Sequence, residues 1–228
     1  MLVKNWMNKD MIYVDIDTSI EGAMKLLNRF KIRILPVINK EKLVGIVTDR
    51  DLKRASASDA TSLSVHELNY IISKIKVKEI MTKEPVTVPP DYTLDETAKL
   101  FLKNKISGVP VVDNEQRCIG IITQTDLFRA IVSFTGFAKK GLQFAFRLED
   151  RPGSIKEVTD IIRLHGGRLS SILSSYDRAP EGYRNVYISV YGINRLIASQ
   201  LKEALKLKAN LLYVVNYVEN IREIFEDG

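Results

Sequence analysis

The chain has 228 residues, of which 45% are hydrophobic and 27% charged, and its formal net charge is +6. This is the composition of a soluble globular protein, and no apolar run approaches the roughly 20 residues that cross a bilayer. The single cysteine, Cys118, excludes an internal disulfide. Residues Met1 to Trp6 lack the apolar core of a signal peptide, so we expect a cytoplasmic protein.

Basic residues are spread over the whole chain. Residues 141–228 hold 12 Lys and Arg against 11 Asp and Glu, which leaves a net charge of +5 on residues 1–140. This excess suits a phosphate-bearing ligand. The basic residues form neither a run nor a strand with interleaved aromatics, which argues against nucleic acid as a partner.

A stretch near the N-terminus recurs in the middle of the chain. The segment from Gly45 to Leu52 reappears from Gly120 to Leu127, with glycine, threonine and aspartate at the same spacing. The offset grows from 74 residues for Met7 and Met81 to 75 for the two glycines, so one residue is inserted near Arg117. Such a duplication predicts two similar units that bury faces against each other.

Each repeat predicts the order strand, helix, strand, strand, helix. In the first repeat these are a strand at Ile12–Val14, a helix with apolar residues at helical spacing from Ile20 to Leu27, and a hairpin that turns at residues 39–42. In the second they are a strand at Val86–Val88, a helix opened by a Thr93–Glu96 capping box, and a hairpin that turns at residues 113–117.

Two further features concern the repeats. Pro36 and Pro110 lie inside strand-like runs, which predicts edge strands that need no donor at those positions. Between the repeats, Ser64 and Glu67 make another capping box and predict a connecting helix up to Ile75. We interpret His66 as a solvated residue of its first turn, because no second His or Cys stands near it.

Residues 138–228 follow a different pattern. Apolar residues alternate from Leu142 to Leu148, which is typical of a half-buried strand. A turn at residues 150–154, a helix ending at Gly166, strands at 168–176 and 185–191, a helix at 195–207 and a strand at 211–217 follow. The order βαββαβ predicts an antiparallel sheet with two helices on one face.

These residues carry two resemblances. The paired prolines and the repeated Thr-x-x-Asp turn resemble CBS domains, and two of them resemble a Bateman module. The third segment, through residues Asp150–Gly153 and the helix after them, resembles an ACT domain. Their order is similar to that of the acetoin-utilisation proteins of the AcuB type. The expected fold is α+β: CBS domain 1 at residues 1–60, a connecting helix and CBS domain 2 at 61–137, and a ferredoxin-like ACT domain at 138–228.

The first resemblance implies an adenine nucleotide, namely AMP, ADP or ATP, or S-adenosylmethionine, in the cleft between the repeats. The aspartates would accept the ribose hydroxyls, and backbone groups near the first strands would meet adenine. The implied residues are Ile12, Tyr13, Val14, Arg33, Pro36, Thr48, Arg50, Asp51, Val86, Val88, Pro110, Thr123 and Asp126. Arg33, Arg50 and Lys53 favour the first site for a charged nucleotide. The alternative is that both aspartates only cap helices.

The second resemblance implies an amino acid near Asp150, Gly153 and Arg168. The acid at 150 would repel a ligand carboxylate, so a dimerisation unit with an empty site is the alternative. A homodimer is expected, with the strand from Leu142 as an exposed pairing edge.

Taken together, the sequence predicts a regulatory ligand sensor that acts on a separate protein. It shows no metal cluster, nucleophile elbow or Gly-rich phosphate loop, so we expect neither an enzyme nor a metal site. His165, at a helix C-terminus, is explained by capping. A dimeric scaffold without a ligand, or a subunit of a metabolic enzyme complex, remain the alternatives.

Overall fold

The computed structural model describes residues 1–58 and 74–225. These divide into two compact units, residues 1–128 and the part of the chain from Arg129 onward. The division falls before the boundary predicted at residue 138. The predicted connecting helix, with Ser64, His66 and Glu67, lies outside the described residues and stays a prediction.

The first unit contains both repeats, and its last helix crosses into the second unit. Its strands are β1 Val14–Asp15, β2 Ile34–Asn39, β3 Lys42–Thr48, β4 Thr82–Lys83, β5 Gly108–Val112 and β6 Cys118–Thr123. Its helices are α1 Ile20–Phe30, α2 Asp49–Ser58, α3 Val77–Ile80, α4 Leu94–Asn104 and α5 Gln124–Phe134.

Helix starts follow the capping residues of the sequence. Ser19 Oγ accepts a hydrogen bond from the Gly22 amide at 3.1 Å and starts α1. The predicted capping box of α4 is confirmed, because Thr93 Oγ1 accepts from the Glu96 amide at 3.3 Å and Glu96 Oε2 accepts from the Thr93 amide at 2.8 Å. A cap of this kind stabilises a helix by about 1 kcal/mol.

Both predicted hairpins are present. Strands β2 and β3 are joined by Lys40 and Glu41, whose φ angles of 47° and 68° are those of a two-residue turn. The turn between β5 and β6 is longer, and Asp113 Oδ1 closes it by accepting from the Glu115 and Arg117 amides, both at 2.9 Å. The residue inserted into the second repeat is accommodated in this turn.

The first strand of each repeat is shorter than predicted. Strand β1 holds only Val14 and Asp15, and Val88 makes a single parallel bridge with Val111 in place of the predicted strand at 86–88. Pro85 and Pro89 flank that segment and supply no amide donors, which explains the loss of a ladder.

The prediction that Pro36 marks an edge strand is wrong, since the sheet order β1-β2-β3-β4 places β2 inside. Strand β1 reaches β2 only at Val37 and Ile38, so Pro36 meets no neighbour that needs its missing amide. Pro110 lies in the two-stranded sheet β5-β6, and its carbonyl accepts from the Val88 amide at 3.2 Å.

The residues that precede each repeat pack on the other repeat. The Val3 amide donates to the Tyr92 carbonyl at 2.8 Å, at the start of the second repeat. Conversely, the Val77 amide donates to the Thr18 carbonyl at 2.8 Å, in the first. Val3 and Val77 are both fully buried. The predicted segments 1–60 and 61–137 therefore exchange their leading residues and form one unit.

The second unit has the predicted order βαββαβ with one added strand. Its elements are β7 Leu142–Glu149, α6 Ser154–Leu164, β8 Arg168–Ser175, β9 Tyr183–Tyr191, α7 Arg195–Lys208, β10 Asn210–Asn216 and β11 Ile221–Ile224. Phe144 and Phe146 of β7 are fully buried in a core that includes Ile162 of α6 and Leu201 of α7. The alternation seen in the sequence therefore marks the face of the sheet that the helices cover.

The prediction that β7 is an exposed pairing edge is wrong. The sheet order is β11-β10-β7-β9-β8, so β10 and β9 flank β7 on both sides. All of these pairs are antiparallel. Alternating burial identifies a half-buried strand but does not tell a central strand from an edge strand.

Candidate functional site

A threonine and an aspartate are hydrogen-bonded at the strand-to-helix turn of each repeat. Thr48 Oγ1 donates to Asp51 Oδ2 at 2.6 Å, and the Thr48 amide donates to the same oxygen at 3.0 Å. In the second repeat Thr123 Oγ1 and the Thr123 amide donate to Asp126 Oδ2 at 2.6 and 2.9 Å. Each aspartate therefore closes the turn at the start of its helix, and in the first repeat Thr48 Oγ1 also accepts from the Asp51 amide at 3.3 Å. Within the described residues every hydrogen bond to the Asp51 side chain ends on Oδ2.

The two turns approach each other where the repeats meet. Ile34 pairs with Thr48, and Gly108 pairs with Thr123. A Cβ atom on Gly108 would lie 2.7 Å from Ile34 Cδ1, so the two repeats are in close contact at this point. The predicted binding regions of the two repeats therefore adjoin each other at Ile34 and Gly108.

The basic residues predicted for the first site divide into two kinds. Arg33 and Arg50 are exposed and have no ion pair among the described residues. Lys53 instead pairs with Asp49, its Nζ lying 2.9 Å from Asp49 Oδ2. Lys53 is therefore engaged in an ion pair on the surface of α2.

The segments predicted to contact adenine lie beside β2 and β5. Val14 and Val88 are buried, whereas Tyr13 is 55% and Val86 39% exposed. The backbone of Val88 is already used, since its amide donates to the Pro110 carbonyl and its carbonyl accepts from the Val112 amide. The predicted contact of adenine with the backbone of Val88 therefore has no free donor or acceptor at that residue.

In the second unit, the turn after β7 brings together residues that the sequence analysis did not combine. Arg184 Nη2 donates to Ser154 Oγ at 3.3 Å, and Arg184 Nε lies 3.6 Å from Asp150 Oδ1. Tyr176 OH donates to the same carboxylate oxygen at 3.4 Å. Gly153, with a φ of 88°, precedes α6 at this turn.

Arg168 does not belong to that cluster. It pairs with Tyr191 at one end of β9, while Glu149, next to Asp150, pairs with Tyr183 at the other end. Eight residues of extended strand separate the two ends by roughly 25 Å. The predicted set of Asp150, Gly153 and Arg168 is therefore not one site within a chain, because β8 runs antiparallel to β9 and begins at the far end.

Arg184 is the residue that the sequence analysis missed. It pairs with Leu148 on the helix-covered face of the sheet, and its side chain is only 18% exposed. A charged residue at an inward position of an alternating strand is the signal that could have found it. The neighbouring Asn185 is 3% exposed, and its Oδ1 has no hydrogen-bond partner among the described residues.

Other chemistry-bearing groups are accounted for by structure. His165 Nδ1 lies 2.9 Å from the Ile161 carbonyl at the end of α6, which agrees with capping. Among residues 1–58 and 74–225, no three His, Cys, Asp or Glu side chains are placed to hold a metal ion. Within the same ranges, no helix is both long and apolar enough to span a bilayer.

Two adjoining clefts of about 170 and 100 Å³ lie in the second unit, between the start of α7 and the turn that joins β10 to β11. Four of the five charged residues that line them form two ion pairs. Lys202 Nζ is 2.9 Å from Glu223 Oε2, and Arg195 Nε is 3.5 Å from Glu219 Oε1. The sequence analysis did not predict these clefts.

The chain is similar to several known proteins over its first unit. It is 35% identical over 133 residues to a CBS domain-containing protein of Dictyostelium discoideum, which covers 58% of this chain and 92% of the relative. It is 36% identical over 122 residues to inosine-5'-monophosphate dehydrogenase of Methanocaldococcus jannaschii. That alignment covers 53% of this chain but only 22% of the enzyme, so the likeness is confined to a small part of it.

Solved structures also match slightly more than half of this chain. The CBS domain pair of protein MJ0100, in complex with 5′-methylthioadenosine and S-adenosyl-L-methionine, matches with a TM-score of 0.50 and 35% identity, covering 57% of this chain and 95% of that one. A Vibrio cholerae protein described as an acetoin utilization protein, AcuB, matches with a TM-score of 0.50 and 26% identity, covering 58% and 90%.

The CBS domain model matches residues 3–58 and 77–133. These two ranges coincide with the two repeats and end before β7. The tandem pair predicted from the repeated turn is thereby confirmed, and the chain belongs to the CBS domain family.

Proposed function

We propose that this protein is a regulatory sensor that binds an adenosine-containing ligand between its two CBS repeats. The repeated Thr-x-x-Asp turn carries this proposal. At Asp51, capping occupies Oδ2 and leaves Oδ1 to accept a ribose hydroxyl, so one carboxylate serves both the helix and a ligand. The complex of the MJ0100 pair with two adenosine compounds supports the same ligand class.

The first site is proposed to take the phosphate-bearing ligand. Arg33 and Arg50 are exposed beside Thr48, whereas Ser107 and Thr125 hold the equivalent positions in the second repeat. Guanidinium groups bind phosphate oxygens with strong, charge-assisted hydrogen bonds. The second site then suits a neutral adenosine derivative, and AMP or ATP belongs to the first.

Calorimetric titration of the full chain with 5′-methylthioadenosine, S-adenosylmethionine, AMP and ATP tests the proposal. Asp51→Ala is expected to lower affinity by roughly tenfold to a hundredfold, because hydrogen bonds to a charged group are worth about 1.5–3 kcal/mol. Asp95→Ala, which removes an acid from the first turn of α4, is the matched control and leaves affinity unchanged. No binding by the unaltered chain would instead favour a scaffold without a ligand.

An amino acid is proposed as a second ligand, at the turn after β7. The half-buried Arg184 lies between Asp150 and Ser154 and could exchange its weak contact with Asp150 for a ligand carboxylate, while Asp150 meets the ligand amine. This arrangement removes the repulsion expected from Asp150 alone. Thermal shifts with the common amino acids, repeated on Arg184→Gln, test the idea, and equal shifts in both proteins would contradict it.

We further propose a homodimer that signals to a separate protein. Phe128, Ile131 and Val132 lie on one face of α5 and are 63%, 56% and 54% exposed. Contiguous exposed apolar residues of this size mark protein interfaces. Sedimentation equilibrium of the chain and of Ile131→Ser tests this surface, and a monomer at micromolar concentration would contradict the dimer.

A further inference from the structure

The residues that lead into each proposed adenosine site run along a strand of the other repeat. We name Met7–Met11 strap 1 and Met81–Lys83 strap 2. In strap 1 the Asn8 amide donates to the Ile121 carbonyl at 2.9 Å, and the Asn8 carbonyl accepts from the Ile121 amide at 3.0 Å. In strap 2, Thr82 and Lys83 are β4 and pair antiparallel with β3. Strap 2 therefore adds a two-residue strand to the first repeat, and strap 1 adds a single antiparallel bridge to the second.

A methionine anchors each strap against a glycine of that strand. Met7 Sδ lies 2.9 Å from the position that a Cβ would take on Gly120, and Met81 Sδ lies 2.5 Å from the same position on Gly45. The thioether side chains thus fill the space that the glycines leave. Strap 1 has an additional contact, since Cys118 Sγ donates to Met11 Sδ at 3.3 Å.

The straps connect the two proposed sites in both directions. Strap 1 is bonded to β6 at Ile121, just before Thr123 of the second site, and leads into the Ile12–Val14 segment of the first site. Strap 2 is bonded to β3 at Ile46, just before Thr48 of the first site, and leads into the segment before Val88 of the second.

From these contacts we infer that the straps couple the two sites, with Met7 and Met81 as positioning residues. A ligand that orders the segment at one site also orders the strap and the strand that carries the other site's threonine. The second ligand then meets a site that is already ordered, which gives positive cooperativity. Linkage makes the effect reciprocal. The inference rests on the proposed function for its ligand.

Titration of the full chain with 5′-methylthioadenosine, with and without saturating AMP at the first site, measures the coupling. The affinity for 5′-methylthioadenosine is expected to be higher in the presence of AMP by about fivefold or more. Met7→Ala and Met81→Ala bring the two affinities together. Met24→Ala removes the same side chain from α1, outside both straps, and leaves their ratio unchanged. Met7→Leu and Met81→Leu replace the alanine variants if those do not fold, and reduce the ratio in the same direction.

Amide hydrogen exchange of the ligand-free chain gives an independent readout. Met81→Ala is expected to accelerate exchange at the Val88 and Val112 amides, whose hydrogen bonds lie beyond the strap in the second site. The coupling would be overturned if Met81→Ala accelerated exchange only at the Gly45 and Ile46 amides. It would also be overturned if Met81→Ala and Met24→Ala gave the same ratio of the two affinities for 5′-methylthioadenosine. If the unaltered chain binds no adenosine compound, the proposed function fails, and hydrogen exchange alone decides whether the straps link the sites.

Discussion

The two repeats share a backbone and differ in the side chains around it. Both have the Thr-x-x-Asp turn with a hydroxyl-to-carboxylate distance of 2.6 Å. Around that turn, however, the first repeat carries Arg33 and Arg50, and the second carries Ser107 and Thr125. The positions that build the turn are thus retained in both copies, whereas the positions proposed to contact a ligand have diverged, which is the basis for proposing different preferences at the two sites.

Differences between the copies extend to the surface of the helix that follows. Lys53 on α2 corresponds to Phe128 on α5, where an ion pair gives way to an exposed aromatic ring. Helices α2 and α5 hold equivalent places in the two repeats, but only α5 exposes an aromatic ring at this position. The two repeats therefore do not present the same surface. This difference supports the proposal that α5, and not α2, contacts a partner.

The largest expected effect comes from separating the repeats. A chain of residues 1–60 lacks Val77, which is fully buried, and the hydrogen bond from its amide to Thr18. Burying one such side chain contributes about 1.5–3 kcal/mol. We expect no cooperative thermal unfolding of this fragment by circular dichroism, whereas residues 1–140 unfold cooperatively. A sharp transition in the short fragment would contradict the exchange of leading segments as a requirement for folding.

The packing of each leading segment on the other repeat could not be predicted from the sequence. The repeats, hairpins and the α4 capping box are local patterns, and they predicted the corresponding elements. The pairing of Asn8 with Ile121 joins residues far apart in the chain, and nothing in either segment alone indicates it. The contacts of Arg184 could not be predicted for the same reason, because its partners Asp150 and Ser154 become neighbours only when β9 lies beside β7. The position of β7 within the sheet was wrong because alternation carries no information on neighbouring strands.

A second contrast concerns the position held by Leu43 in the first repeat and Cys118 in the second. Burial raises the pKa of the Cys118 thiol to about 11. At pH 8 the thiolate fraction is then about a hundredfold smaller than in an ordinary cysteine. Iodoacetamide is expected to alkylate the folded chain about a hundredfold more slowly than the urea-unfolded chain.

The same pKa shift sets a pH dependence. The folded state holds the proton while the unfolded thiol loses it, so the contribution of Cys118 to stability falls as pH rises from about 9 towards 11. Cys118→Ala is expected to remove this part of the decline in denaturant titrations. Equal alkylation rates for the folded and unfolded chains would show that the thiol is not protected.

Exchanging the basic residues sharpens the comparison of the two sites. Arg33→Ser with Arg50→Thr gives the first repeat the side chains of the second, and we expect the affinity for AMP and ATP to fall by roughly tenfold. The affinity for 5′-methylthioadenosine, which has no phosphate, stays the same. Lys25→Ser removes an exposed charge of α1 that is paired with Glu21, and serves as the control. An equal loss for the neutral and the phosphorylated ligands would place the arginines outside the site.

The smallest expected effect is a loss of stability on removal of the threonine hydroxyl, and it should be the same in both repeats. Thr48→Val and Thr123→Val each remove a hydroxyl that donates to an aspartate at 2.6 Å, while volume is retained; Thr48 also loses the long bond of 3.3 Å that its hydroxyl accepts from the Asp51 amide. Because the threonine amide still donates to the same carboxylate oxygen, the loss costs only about 1 kcal/mol, or roughly 2–4 °C in melting temperature. Calorimetric melting of both variants should therefore give nearly equal shifts, even though Arg33 and Arg50 stand in only one repeat. A much larger shift in melting temperature for one threonine variant than for the other would show that the two turns are not equivalent. The difference between the repeats would then lie in the turn itself as well as in the neighbouring side chains.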